Sequence, residues 1–297
     1  MTTNSYQWPK GKRCAVMLSI IYDDGRDALA IAPDLAQRSK SRSVWEYGTT
    51  RGVERLCEQL FARDLPTTWF VPAAVASERA SFIAELSAKG HEIAGRGINF
   101  EQYCEQSDAQ NIDCLKRTRE TLATITGQAP KGFRLPSGLW PNGFDSLLKA
   151  QGFEWSSTLN GDDFPYQHQS GLIELPVQVE LEDRPYFQFN FTPAFPKGHS
   201  RMAGYDAVLD NWRSEFAAYH EYGLCFNLQL RPEIIATPGR SFIVDELLDY
   251  IAQFDDVWFA TGSQLAAWHQ QSNQQNEAEH PVAVFAEYLQ EFADGRQ

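Results

Sequence analysis

The chain has 297 residues, 43% of them apolar and 13% aromatic, and no stretch of its sequence is long and apolar enough to cross a membrane. Its formal net charge of −13 argues against nucleic acid or an anionic membrane as a partner, because both repel an acidic surface. Five cysteines stand singly, and the first residues lack the hydrophobic run of a secretory signal. We therefore expect a reduced, cytoplasmic, globular protein whose partner is a small-molecule substrate.

Short apolar runs alternate with helical patterns, as is typical of βα units around a parallel sheet or barrel. In chain order the pattern predicts a strand from Cys14 that ends at Asp23, a helix over 50–63, a strand over 67–71, a helix over 77–89, a strand over 92–94, a helix over 107–126, a strand over 132–134 and a helix over 142–151. It continues with a strand over 173–176, a helix over 205–222, a strand over 224–230, a helix over 240–254 and a strand over 257–260 before another helix.

No Pro/Gly/Ser-rich linker divides this series, so residues 1–297 are predicted to form a single domain. A loose segment rich in Gln, Asn and Glu is predicted over 270–280, followed by a terminal amphipathic helix over 281–297. The oligomeric state stays open, with a homo-oligomer among the alternatives.

Two adjacent carboxylates, Asp23 and Asp24, close the first apolar strand. A buried sheet directs such residues out of its carboxyl edge, where α/β proteins place their chemistry. Like charges a few ångströms apart persist when a metal, a cation or a shared proton offsets them. The alternative is a plain turn, since Asp and Gly are common turn residues.

Four loops at strand ends together carry a resemblance to a known family. They are Tyr22-Asp23-Asp24-Gly25, Gly90-His91-Glu92-Ile93-Ala94-Gly95-Arg96-Gly97-Ile98-Asn99-Phe100, Gly132-Phe133-Arg134-Leu135-Pro136-Ser137-Gly138 and Leu228-Gln229-Leu230-Arg231-Pro232-Glu233. In this order residues 8–268 resemble the polysaccharide deacetylase family, or NodB-homology domain. The similarity points to the branch with peptidoglycan-deacetylase-like, allantoinase and cyclic imide hydrolase members. The resemblance implies an α/β fold, a distorted (β/α) barrel of the NodB-homology type with its site at the carboxyl ends of the strands.

The histidine positions of the family site are substituted in this sequence. In the metal-dependent members the first motif supplies a base and a metal ligand, which fall here on Asp23 and Asp24. The two histidine ligands are replaced by Arg96 and Phe100, and the general-acid histidine by Arg231. A guanidinium stays protonated and a phenyl ring has no lone pair, so neither binds Zn²⁺. We therefore expect neither a metal nor another cofactor.

Two interpretations of Arg96 and Arg231 stay open. Both are expected to face Asp23 and Asp24, replacing a divalent cation with two fixed positive charges. They either fill the vacated space as ion pairs in an inert barrel, or polarise a substrate carbonyl while Asp23 acts as base or nucleophile. Arg134 either joins the reaction or only orients Asp23.

The predicted site divides into two sets of residues. Catalytic roles are assigned to Asp23, Asp24, Arg231 and Arg134, and substrate binding to Arg96, Phe100, Trp140, Asp163 and Tyr47. The aromatic members would form flat apolar walls for a ring, or serve only as core. His91 is interpreted as a structural histidine, and His168 and His199 as surface histidines on loops.

The predicted function is metal-independent hydrolysis of a non-peptide carbon–nitrogen bond in a small amide, cyclic imide or ureide. An electron-poor imide carbonyl needs less Lewis-acid assistance than an N-acetyl group, so losing the metal is more tolerable there. One alternative is a non-catalytic barrel that binds a small anionic ligand. Another is a metal-dependent sugar deacetylase with substitute ligands.

Overall fold

A computed structural model describes residues 6–136, 138–188, 190–191, 194–195, 202–277 and 279–283. The strands are β1 Cys14–Ile21, β2 Thr68–Val71, β3 Glu92–Gly95, β4 Gly132–Phe133, β5 Trp155–Ser156, β6 Tyr166–Gln167, β7 Ile173–Glu174, β8 Asn190–Phe191, β9 Ala194–Phe195, β10 Cys225–Leu230 and β11 Val257–Phe259. The helices are α1 Arg26–Ile31, α2 Ser39–Tyr47, α3 Val53–Phe61, α4 Ala73–Glu78, α5 Ala80–Ala88, α6 Asp108–Thr126, α7 Phe144–Ala150, α8 Arg184–Phe187, α9 Tyr205–Tyr222, α10 Pro232–Ile235, α11 Pro238–Ile251 and α12 Gly262–Gln271.

The main sheet is mostly parallel and curls into a distorted barrel. Its strand order is β10-β1-β2-β3-β4-β5-β7-β6, and β11 also pairs with β1. The pairings are parallel except that of β6 with β7. A parallel bridge between Glu182 and Gln229 brings the segment after β7 against β10. The predicted α/β barrel is confirmed.

Burial on both faces explains the composition of the central strand. Every residue of β1, with the sequence CAVMLSII, is buried, as expected of a strand covered by helices on one side and barrel interior on the other. Its alternate residues enter two different clusters. Val16, Leu18 and Ile20 pack in the larger core with the outer helices, whereas Ala15 and Met17 pack with Phe70 and Trp155.

The element predictions succeed where apolar periodicity is strong. Strands β2, β3, β10 and β11 and helices α6 and α9 lie where they were predicted. The predicted helix over 77–89 is divided into α4 and α5, because the backbone at Arg79 leaves helical geometry at φ −118°. Helix α2 was not predicted, and it buries only Trp45, so its sequence carries little apolar periodicity.

The end of the chain is only partly described. In the predicted loose segment over 270–280, the described residues form the end of α12 and otherwise irregular structure. The predicted terminal helix lies outside the described residues after residue 283. Within the described ranges, no helix has both the length and the apolar character of a membrane span.

Candidate active site

A buried ion pair joins the ends of β1 and β3. Asp23 is 0% exposed, and Arg96 donates to both of its carboxylate oxygens, from Nε to Oδ1 at 2.6 Å and from Nη2 to Oδ2 at 2.9 Å. The same guanidinium also donates to the carbonyls of Leu135 and Pro136 beyond β4. The carboxyl ends of parallel strands meet at one edge, so the pair spans three strands there. The expected pairing of Arg96 with Asp23 is therefore present.

Asp24 does not share this pair. Its backbone is left-handed, with φ of 50°, and Gly25 follows with φ of 74°, so the chain turns sharply into α1. The Asp24 carboxylate lies 3.7 Å from Arg79 Nη2 and 4.0 Å from Arg26 Nη1. Burial raises the pKa of Asp24, and the Arg79 charge acts against that rise. The expectation that Asp24 faces Arg96 and Arg231 is wrong, because the turn places its carboxylate beside Arg79 and Arg26.

Arg231 has different counter-ions from those expected. Its Nη1 donates to Glu182 Oε1 and lies 3.6 Å from Asp183 Oδ1, while its backbone N–H donates to Asp183 Oδ2 at 2.6 Å. Burial acts against the charged form, but the Glu182 and Asp183 carboxylates raise the pKa of Arg231 above its ordinary value. Asp23 contributes a smaller electrostatic effect on Arg231. The expected direct pairing of Arg231 with Asp23 and Asp24 is therefore wrong.

Sequence reasoning missed Glu182 and Asp183. Both lie on the segment that bridges to β10, far from the four strand-end motifs in the sequence. The available signal was the charged run Glu182-Asp183-Arg184, placed between Leu181 and Pro185. Burial raises the pKa of Asp183 to about 7, and although burial acts in the same direction on Glu182, Arg231 lowers the pKa of that carboxyl.

Arg134 occupies the floor of the site. It is 4% exposed, its guanidinium lies 3.9 Å from the Phe70 ring centroid, and it donates to the carbonyl and hydroxyl of Ser157, both at 2.6 Å, and to the Ser19 hydroxyl at 3.3 Å. Its hydrogen bonds therefore go to a polar layer inside the barrel, and the predicted contact that would orient Asp23 is not among them. Burial and then the Arg96 charge lower the pKa of Arg134.

The polar layer is built from strand residues that interrupt apolar runs. Ser19 of β1 donates to Asn227 of β10 at 2.7 Å, and Asn227 donates to the Ser157 hydroxyl at 3.1 Å. Polar side chains at buried strand positions were the sequence signal for this layer. The layer holds Arg134 in place below the Asp23–Arg96 pair.

The arginine cluster is made of Arg96, Arg134 and Arg231 with the carboxyl groups of Asp23, Glu182 and Asp183. Three of its buried polar atoms have no hydrogen-bond partner among the described residues. They are Arg134 Nη1, Arg231 Nε and Asp183 Oδ1. Leaving a buried donor unpaired costs about 1–3 kcal/mol, so such atoms are suited to a ligand that supplies the missing partner. Two of the three are guanidinium N–H donors, which favour a carbonyl or an anionic oxygen.

Of the predicted aromatic binding residues, Phe100 contacts the arginine cluster and Trp140 contacts a histidine. Phe100 is buried, and its ring centroid is 5.7 Å from Arg96 Cζ, so it forms a wall behind that guanidinium. Trp140 stacks on His168 with 5.7 Å between centroids and 5° between planes. His168 is itself buried and bonded to Glu174, so its interpretation as a surface histidine is wrong.

The remaining predicted binding residues have other surroundings. Tyr47 accepts a hydrogen bond from Arg55 at 2.8 Å, which ties α2 to α3. Asp163 is exposed, and its carbonyl accepts from the N–H of Cys225, the first residue of β10. It therefore lies at the amino end of the barrel, opposite the site, and its assignment to substrate binding is wrong. His91 bonds to Thr67 as a structural histidine, and His199 lies outside the described residues.

The residues present do not fit the metal that the family resemblance implies. The Arg96 guanidinium holds both oxygens of Asp23, and Asp24 is paired with Arg79 and Arg26. A catalytic Zn²⁺ needs three protein ligands drawn from His, Cys, Asp and Glu. Within the described residues no group of three such side chains is arranged to hold a metal ion.

Comparison with known proteins places this fold and site in a family. Residues 33–155 match the sequence model of the family described as polysaccharide deacetylase. The peptidoglycan deacetylase of Helicobacter pylori is 23% identical over 244 residues, covering 72% of this chain and 82% of that protein. The solved structure of the PuuE allantoinase superposes with a TM-score of 0.75 at 21% identity, covering 90% of this chain and 94% of that one, which supports the fold.

The solved structure of a Mycobacterium smegmatis protein, described as a polysaccharide deacetylase, is more similar in sequence. It is 30% identical, covers 92% of this chain and 96% of that chain, and superposes with a TM-score of 0.82. The similarity thus extends over nearly the full length of both proteins and includes the strand ends that build the site. The chain therefore belongs to the polysaccharide deacetylase family, whose members are hydrolases.

Proposed function

We propose that the protein hydrolyses a non-peptide carbon–nitrogen bond of a small amide, cyclic imide or ureide without a metal ion. The observation that carries this proposal is the arginine cluster, in which Arg96 pairs with Asp23 while Arg134 Nη1 and Arg231 Nε have no hydrogen-bond partner among the described residues. Fixed cationic donors in a buried site can stabilise a developing oxyanion, as a metal does. Family membership supports hydrolysis, and the peptidoglycan deacetylase relative is named for removal of an acetyl group.

The site supplies the groups that amide hydrolysis requires. A carboxylate has about four lone-pair positions, so Asp23 keeps acceptor capacity after binding Arg96 through both oxygens. Asp23 would take a proton from water as the water oxygen bonds to the carbonyl carbon. Arg134 and Arg231 would donate to the resulting oxyanion. The proton then passes to the leaving nitrogen as the carbon–nitrogen bond breaks, yielding a carboxylic acid and an amine, or a ring-opened product from a cyclic substrate.

A cyclic imide is our preferred substrate within this class. Its carbonyl is more electrophilic than that of an N-acetyl group, so replacing a Lewis acid with guanidinium groups slows its hydrolysis less. The relatives named for peptidoglycan deacetylation make N-acetyl sugars the main competing substrates. The screen should therefore contain succinimide, maleimide, hydantoin and allantoin beside N-acetylglucosamine and its oligomers.

Turnover measurements on variants of Asp23 and Arg134 test the proposal. Asp23→Asn and Arg134→Gln should each lower kcat by about 100-fold or more, since each removes a group used in the reaction. Asp255→Asn is the matched control, because Asp255 is exposed on the turn before β11, at the amino end of the barrel. Folding of each variant is checked by thermal unfolding. Activity that disappears on chelation and returns with Zn²⁺ would contradict the metal-independent mechanism.

A second candidate is a non-catalytic barrel that binds a small anion. It is favoured by the complete burial of Asp23 and by the use of both of its oxygens in the Arg96 pair. In that case no member of the screen is turned over, while a dicarboxylate such as succinate binds saturably in calorimetry. Loss of that binding in Arg134→Gln would then place the anion at the same cluster.

A further inference from the structure

A groove of about 900 Å³ lies beside the arginine cluster and is not part of the site described above. Its walls come from α2 and the residues just before it, from α8, and from α10 with the start of α11. Glu233 of α10 lines it, two residues after Arg231 in the sequence. Its volume is in the range of pockets that hold small organic molecules.

Arg240 supplies a buried positive charge to this groove. It is 8% exposed, its Nη1 donates to the Ile234 carbonyl at 2.8 Å, and its guanidinium lies 4.8 Å from the Phe187 ring centroid. Its Nη2 donates to the weak acceptor Met202 Sδ at 3.0 Å, and its Nε is buried without a hydrogen-bond partner among the described residues. A buried arginine with unmet donors is suited to an anionic ligand.

Glu233 supplies a second unmet group. It is 8% exposed, and its Oε1 is buried without a hydrogen-bond partner among the described residues. Burial raises the pKa of Glu233 well above its ordinary value, and the nearby Asp27 charge adds to the rise, so the fold favours the protonated carboxyl, which can donate a hydrogen bond. Its backbone is held closely, since a Cβ added at Gly48 would lie 2.3 Å from Glu233 Cβ.

The rest of the described lining is positive, apolar or uncharged and polar. Among the described residues, the charged or titratable lining groups are the cations Arg38, Lys40 and Arg240 and the buried Glu233, in a chain whose net charge is −13. Trp45 and Phe187 form apolar walls. A local positive charge on an acidic protein concentrates anions at that place, and the apolar walls favour a hydrocarbon body.

We propose that this groove binds a small organic carboxylate with an apolar body, the carboxylate lying at Arg240 and Glu233 and the body on Trp45 and Phe187. This site stands independently of the hydrolysis proposed above, because it rests on different residues and is tested by binding rather than turnover.

Calorimetric titration with two matched pairs of compounds tests the proposal. Octanoate and phenylacetate should bind saturably, and octanol and phenylacetamide, which lack the carboxylate, should bind at least tenfold more weakly. Quenching of tryptophan fluorescence by the two acids gives an independent readout of binding. Failure of both acids to bind, or equal binding of the neutral analogues, would overturn the proposal.

Three charge variants locate the bound molecule. Arg240→Met should weaken binding of the acids by tenfold or more, and Lys40→Glu, which changes an exposed residue and leaves the core intact, by several-fold. Lys116→Glu makes the same charge change at an exposed residue of α6 and should leave binding unchanged. If Lys116→Glu weakens binding as much as Lys40→Glu does, the effect reflects net charge alone and the proposed location is wrong.

Discussion

At the scale of single residues, the site depends on where buried charges find partners. Asp23 and Arg96 satisfy one another with two hydrogen bonds, whereas Arg231 relies on Glu182 and Asp183. Removing one member of such a pair leaves the other charged and buried, and that costs far more than the pair itself contributes. Stability measurements can therefore separate pairing from ligand binding.

Arg96→Met should lower the free energy of unfolding by about 3 kcal/mol or more, because Asp23 is left buried and unpaired. The double variant Asp23→Leu/Arg96→Met should recover most of this loss, since neither charge remains. Arg42→Met is the control, because Arg42 pairs with Glu46 at 3.7 Å on an exposed surface and should change stability by about 0.5 kcal/mol or less. Urea unfolding measures all three, and an unchanged Arg96→Met protein would contradict the role assigned to the pair.

Asp183 makes a pH-dependent contribution to stability. Burial raises its pKa to about 7 in the folded protein, so folding takes up a proton at pH values between the ordinary range of an Asp and 7. The folded state then binds more protons than the unfolded state, and stability falls as pH rises through this window. For this residue the fall amounts to roughly 4 kcal/mol between pH 4 and pH 7.

Asp183→Asn should remove this pH dependence while keeping an acceptor for the Arg231 N–H. The stability of the wild-type protein relative to the variant should therefore decrease from pH 4.5 to pH 7 and then level off. Urea unfolding of both proteins at several pH values gives this difference directly. A difference that does not change with pH would show that Asp183 is ionised throughout.

At the scale of elements, the connections decide the site more than the strands do. The segment before α8 carries Glu182 and Asp183 to β10, and the left-handed turn before α1 takes Asp24 away from the arginine cluster. Helix α12 is a second element in which packing shifts the pKa of a side chain. His269 in its last turn is buried, and its Nδ1 lies 3.2 Å from the Tyr6 hydroxyl.

Burial lowers the pKa of His269 to about 4, so the folded protein binds fewer protons than the unfolded chain between pH 4 and pH 6.5. The contribution of neutral His269 to the free energy of unfolding is complete above pH 6.5. It falls by about 3 kcal/mol as the pH drops to 4. The His269→Phe variant keeps an aromatic ring beside Tyr6 and should lose less stability at acidic pH than the wild-type protein does. Thermal unfolding at pH 4.5 and pH 7.5 measures this, and equal acid sensitivity of both proteins would contradict it.

At the scale of the whole molecule, the barrel is held by apolar packing and hydrogen bonds, and the described residues contain no arrangement for a metal ion. Purified protein should therefore carry well under one equivalent of Zn²⁺, Co²⁺ or Fe²⁺ by elemental analysis. EDTA should leave the thermal unfolding midpoint unchanged, because no metal-binding energy contributes to folding. About one equivalent of metal, removed by EDTA together with stability or turnover, would contradict this prediction.

The sequence alone was sufficient for the features that are local or repeated along the chain. Alternating apolar runs predicted the βα order, and the four strand-end motifs identified the family and placed Asp23, Arg96, Arg134 and Arg231 at one edge of the barrel. Residue chemistry also excluded Arg96 and Phe100 as metal ligands, since that depends on the side chain and not on its surroundings.

Only the tertiary structure decided which charges meet. Arg231 pairs with Glu182 because the segment after β7 runs beside β10, and no local pattern encodes that long-range contact. The left-handed backbone of Asp24 directs its carboxylate to Arg79 and Arg26 and away from the arginine cluster. Asp163 lies at the amino end of β10, opposite the site. Ion-pair partners depend on distances of a few ångströms in a buried, low-dielectric setting, and only the packed chain sets those distances.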